Sequence, residues 1–115
     1  MLLDMAARPA FSSFFESLPI FAVDGSLAFV TDFQRDPTLT GATGKVSAKS
    51  GSFLQTTDSG LVMRTKAMGG YVRTKRGRQL AFALEVNDVP IASIDDFIKA
   101  SQDLGTISAI LWRDY

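Results

Sequence analysis

A chain of 115 residues, 46% hydrophobic and 21% charged, has enough apolar material for one ordinary domain and is too short for two. Its 12 basic and 12 acidic residues cancel, so net charge marks it for neither DNA, RNA nor anionic lipid. It has no histidine and no cysteine, which excludes Ser-His-Asp and Cys-His chemistry, disulfides and ordinary zinc sites, and leaves Lys, Asp, Glu or Tyr as general bases.

The first seven residues, Met1-Leu2-Leu3-Asp4-Met5-Ala6-Ala7, favour a helix that Pro9 interrupts. The segment is too short for a secretory signal peptide, and Asp4 comes too early for one. It reads as the middle of a helix, so the chain is expected to be a piece of a longer or split protein. Phe11 to Ser17 forms an amphipathic turn or short helix, with Phe11, Phe14, Phe15 and Leu18 at helical spacing and expected in the core. Leu18 to Gly25 is an apolar run that ends in the turn signal Asp24-Gly25. Residues 31–44 are polar and read as a loop.

Three strands follow. Lys45 to Leu54 alternates, residues 55–66 read as a long loop, and Met68 to Thr74 is β-branched and aromatic. Lys75-Arg76-Gly77-Arg78 closes an antiparallel hairpin onto Gln79 to Val86. The near-continuous apolar run Leu80 to Val86 predicts a central strand buried on both faces. The cations Arg73, Lys75, Arg76 and Arg78 read as a solvated turn, with a phosphate or polymer contact as the other reading.

Ser93-Ile94-Asp95-Asp96 places a capping hydroxyl and two first-turn acids at a helix start. Gly105 is expected to end that helix, and Thr106 to Trp112 to form a last apolar segment, for which an edge strand is one reading. No run approaches the roughly 18 apolar residues of a membrane span. The fold class is therefore α/β in the α+β sense: a single domain over 1–115, with an antiparallel sheet of three to five strands and helices packed on one face.

The most informative residues are Lys49-Ser50-Gly51, inside the alternating first strand, followed by Gly70-Tyr71 in the next strand. By alternation Ser50 and Ser52 share one face, and Lys49 and Gly51 the other. Taken with Leu18-Pro19 and Asp24-Gly25-Ser26-Leu27 upstream, this order resembles the C-terminal part of penicillin-binding-protein D-alanyl-D-alanine carboxypeptidases, serine enzymes of the β-lactamase-like transpeptidase superfamily. The resemblance covers residues 1 to about 90. It implies that Lys49 and Ser50 hold a substrate carboxylate, that Gly51 clears room for an extended peptide, and that the Ser52 N–H donates to an oxyanion.

Three departures stand against it. Ser50 replaces the family's threonine. Residues 54–67 are longer than the family's tight connection. No serine has lysine three positions later, and no Ser-x-Asn occurs, so the nucleophile and its base are absent from these residues.

Three functions stay open: a fragment of a serine carboxypeptidase or endopeptidase acting on peptidoglycan, inactive alone; a non-catalytic binding or assembly module of the same fold; and a piece of a related esterase or β-lactamase. By resemblance the complete enzyme is periplasmic or extracytoplasmic, needs no cofactor or metal, and takes a peptidoglycan peptide or β-lactam. No nucleic-acid partner is expected. Exposed apolar surface implies self-association or pairing with a missing N-terminal part.

Overall fold

In the computed structural model, residues 2–23 and 25–115 are described; Met1 of the expected first helix and Asp24 of the expected turn lie outside the described residues. The fold is α+β. Strands β1 (Val46–Thr57), β2 (Gly60–Arg73) and β3 (Gln79–Ile91) form an antiparallel meander in the order β1-β2-β3. Helices α1 (Leu2–Ala6) and α2 (Phe11–Ser17) precede the sheet, and α3 (Ile94–Asp114) follows it.

The core lies on one face of the sheet. Val46, Ala48, Met68, Val72 and Phe82 meet Leu104, Ala109 and Trp112 of α3. Phe21, Leu27, Val30, Phe33, Leu39 and Ala42 fill the space beside them. They come from the 18–44 segment, which folds into short 3-10 turns at Asp32–Arg35 and Thr40–Ala42 where a loop was expected. Each such large side chain contributes roughly 1.5–3 kcal/mol on burial. Buried Gln102 ties this segment to α3: its Oε1 accepts from the N–H groups of Thr31 and Asp32, both at 3.1 Å, and its Nε2 donates to the Phe29 carbonyl at 2.9 Å.

Helices cover both faces, not one. On the face away from α3, the Tyr71 ring sits among Phe11, Phe14 and Phe15, with centroids 5.2, 6.3 and 6.0 Å away. Its hydroxyl donates to the Leu2 carbonyl at 2.6 Å, which pins α1 to the sheet. Those phenylalanines pack on Tyr71 but stay half-buried and outside the core in which they were expected; of that set only Leu18 is buried.

Several expectations change. Residues 55–66 are mostly strand: β1 runs to Thr57, and only Asp58-Ser59 separate it from β2. Polar side chains and a bulge conceal the strand period. Phe53 and Leu54 pair with Thr65 and Met63, so Arg64 is an extra residue that shifts the parity of β2 and turns Met63 into the core. Leu80 to Val86 lies on an edge strand, and β2 is central. The second apolar face of β3, Ala81 and Ala83, lines an open groove and not a core.

Thr106 to Trp112 is helix, because α3 continues through Gly105 to Asp114. Gly105 does not terminate it. A Cβ there would collide with Val30, so glycine permits a close approach inside the helix. Ser93 does precede α3, but its hydroxyl makes no cap bond. The Asp96 carboxylate instead accepts from the Ala92 N–H at 2.7 Å.

Candidate functional site

Lys49, Ser50, Gly51 and Ser52 sit where the outer edge of β1 becomes open. Before them that edge is covered: Phe21 N–H donates to the Val46 carbonyl and Ala48 N–H to the Pro19 carbonyl, both at 3.0 Å. Beyond Ala48 no strand pairs with it among the described residues. Backbone direction alternates along β1. Lys45 bonds inward to Arg73, while Val46 and Ala48 bond outward. The same alternation turns the N–H and C=O groups of Ser50 and Ser52 toward the open edge.

The side chains divide by parity, as the alternation requires. Lys49 and Gly51 lie on the α1/α2 face in rows with Gly69 and Ala67; Ser50 and Ser52 lie on the α3 face opposite Met68 and Lys66. Lys49 is exposed, and its Nζ bends over the edge to donate to the Ser50 carbonyl at 2.7 Å. A Cβ on Gly51 would meet nothing within 4 Å, so the space beside the glycine is open. Ser50 is half-buried and Ser52 exposed.

Lys49 also borders a groove of about 880 Å³ on the α1/α2 face. Gly69, Ala81 and Ala83 border it too, with Leu2, Leu3, Phe14, Leu18 and Pro19. Small residues on β2 and β3 keep this space clear of large side chains.

Lys66 is the neighbour that sequence reasoning missed, since it lay in the supposed loop. It pairs across the strands with Ser52 and is only 4% exposed. Its ammonium lies 4.5 Å over the Phe97 ring of α3. Desolvation, helped by the nearby charge of Lys49, pushes its pKa below the ordinary lysine value. An alternating pattern carried back from Met68 would have placed it on the core face.

Chemically, the edge offers a cation, a hydroxyl and outward N–H groups to an extended chain that ends in a carboxylate. Among the described residues no cluster of acids could hold a metal ion.

An open strand edge can take an extended peptide by adding it as a further strand, and here Lys49 places one cation beside that edge on the rim of a largely apolar groove. The model of the D-Ala-D-Ala carboxypeptidase 3 (S13) family matches residues 1–104, and the chain belongs to that family. The match reaches past the resemblance seen to about residue 90 and takes in β3 and the first half of α3. No curated protein matches the chain.

Proposed function

We propose that this chain carries one wall of a serine-type D-alanyl-D-alanine carboxypeptidase site acting on peptidoglycan peptides, with the nucleophile supplied from outside these 115 residues. In this reading Lys49 and Ser50 bind the terminal carboxylate of the substrate or of a β-lactam. The Ser52 N–H donates to the oxyanion, and the strand edge at Gly51 holds the peptide. The observation that supports it best is the position of Lys49-Ser50-Gly51-Ser52, at the point where the Pro19–Phe21 cover of β1 stops. The groove beside Lys49 is open apolar surface of the kind that a missing N-terminal part of the same protein would cover. Such chemistry belongs to an extracytoplasmic enzyme, and no described helix is long and apolar enough to cross a membrane.

A second reading, a non-catalytic binding module of the same fold, is favoured by the lack of Ser-x-x-Lys and Ser-x-Asn. One titration bears on both. A short peptide ending in D-Ala-D-Ala is added to the chain while backbone amide resonances are followed. Shifts at Ser50 and Ser52 that vanish when the peptide is C-terminally amidated, or in Lys49→Ala, are expected. Equal shifts with the amidated peptide would remove the carboxylate-binding role.

A further inference from the structure

The zero net charge conceals a polarised molecule. Arg73 N–H donates to the Lys45 carbonyl at 3.0 Å, so two cations stand directly opposite each other across β1 and β2. Like charges at such a position destabilise a sheet. The adjoining turn adds three more. Thr74 N–H donates to the Arg78 carbonyl at 2.7 Å, and Gly77, at φ +85, lets the chain reverse tightly. Lys75, Arg76 and Arg78 are all exposed there. Five of the 12 cations thus gather at one end of the sheet.

None of these five makes an ion pair among the described residues. Asp114 feels the charge of Arg76, but Arg113 holds its carboxylate through two hydrogen bonds of 2.7 and 3.1 Å. Acids collect at the opposite end: Asp58 in the β1–β2 turn and Asp95 and Asp96 on the first turn of α3. The molecule is 47 Å long, several Debye lengths at physiological salt, so its two ends present separate fields.

Apolar side chains stand beside the cations. Lys75 N–H donates to the Trp112 carbonyl at 2.8 Å, which fixes the hairpin against the C-terminal end of α3 and sets Tyr115, 51% exposed, at the same end. Val23, 56% exposed, lies 3.9 Å from the Cβ position of Gly44, next to Lys45.

We propose that this end, formed by Lys45, Arg73 and the Lys75–Arg78 turn with Tyr115 and Val23, docks on the headgroup layer of an anionic phospholipid membrane. Cations that form no ion pair among the described residues bind lipid phosphates, while an amphipathic aromatic ring and one aliphatic side chain suit the interface. A hairpin tip beside a helix end fits a flat surface better than a strand of nucleic acid, which needs a groove and several stacking rings. Each cation at the surface is worth about a fivefold gain in binding, so attachment is reversible and salt-sensitive. Lys49 lies four positions beyond Lys45 along extended chain. The open edge is therefore carried on the order of 13 Å from the docking end. This inference does not depend on the catalytic reading.

The test is cosedimentation of the chain with phosphatidylcholine vesicles, with and without phosphatidylglycerol. Binding only to the anionic vesicles, weakening as salt rises, is expected. Lys75→Gln/Arg76→Gln/Arg78→Gln should lower that binding about a hundredfold with an unchanged melting temperature. Tyr115→Ser should weaken it further at high salt, where charge is screened. Should the triple variant fail to fold, the lipid and salt dependence of the unaltered chain decides. Equal binding to neutral vesicles, or a folded triple variant that binds undiminished, overturns the proposal. So does binding of soluble polyphosphate by a chain that ignores anionic vesicles, which would make this end a polymer contact.

Discussion

Val30 Cγ1 occupies the space that a side chain on Gly105 would need. The contact locks α3 onto the 18–44 segment in the middle of a 21-residue helix. Gly105→Ala should gain about 1 kcal/mol of helix propensity and lose about 1–3 kcal/mol to overpacking. The expected net result is a loss of about 1 kcal/mol, read from urea unfolding. Val30→Ala made together with Gly105→Ala should cost less than the sum of the two single changes. Strict additivity would show that the collision is relieved elsewhere.

A harsher result is expected at Gly70. A Cβ there would run into the Ser47 carbonyl and the Ala48 backbone, neither of which can rotate away. Gly70→Ala must push β1 from β2 and should cost about 3 kcal/mol, enough to unfold a marginal domain. Tyr71→Phe, next to it, removes only the hydrogen bond to Leu2 and should cost about 1 kcal/mol. Hydrogen exchange in α1 should rise in the second variant without loss of the sheet.

Lys66 makes stability depend on alkaline pH. Burial holds its folded pKa below the ordinary lysine value, so the unfolded chain keeps the proton to higher pH. The buried charge therefore costs stability in full below the lowered pKa. That cost fades as pH rises from there toward the ordinary value. Lys66→Met should raise the melting temperature at neutral pH, despite losing the contact with Phe97, and flatten the alkaline rise. A variant less stable than the original at neutral pH would show that the cation–π contact outweighs desolvation.

Activity tests need a longer chain that contains the nucleophile. There, Lys49→Ala should cut kcat/KM by roughly two to four orders of magnitude, as expected for losing a charge-assisted contact in a partly desolvated site. Its melting temperature should barely move, since Lys49 is exposed. Ser50→Thr should be nearly neutral, and Ser50→Ala intermediate. Penicillin acylation rates for the three variants provide the measurement, and an unimpaired Lys49→Ala would return Lys49 to an ordinary solvated side chain.

The 115 residues alone should form no covalent penicillin adduct, because no serine is followed three positions later by lysine. Mass spectrometry after incubation with a labelled penicillin checks this. A stoichiometric adduct on any serine would contradict it and direct attention to Ser52 beside Lys66.

Local chemistry was legible in the sequence. The Lys75–Arg78 turn, the hairpin it closes, the helix after Ser93, the aromatic spacing of Phe11, Phe14 and Phe15 and the parity of Lys49 against Ser50 all follow from neighbouring residues. Their turn preferences and periods need no distant partner. The strand from 60 to 66 stayed hidden because Arg64 breaks the period on which the reading depended. Tertiary structure alone decided what distant segments meet. It made β3 an edge and β2 the centre, and it turned Gly105 from a helix stop into a contact point for Val30. It buried Lys66 beneath Phe97 and brought Lys45 beside Arg73, so that a chain of zero net charge acquired a basic end. A residue's own chemistry sets its local backbone preference, but its burial, field and permitted size depend on which atoms from elsewhere in the chain approach it.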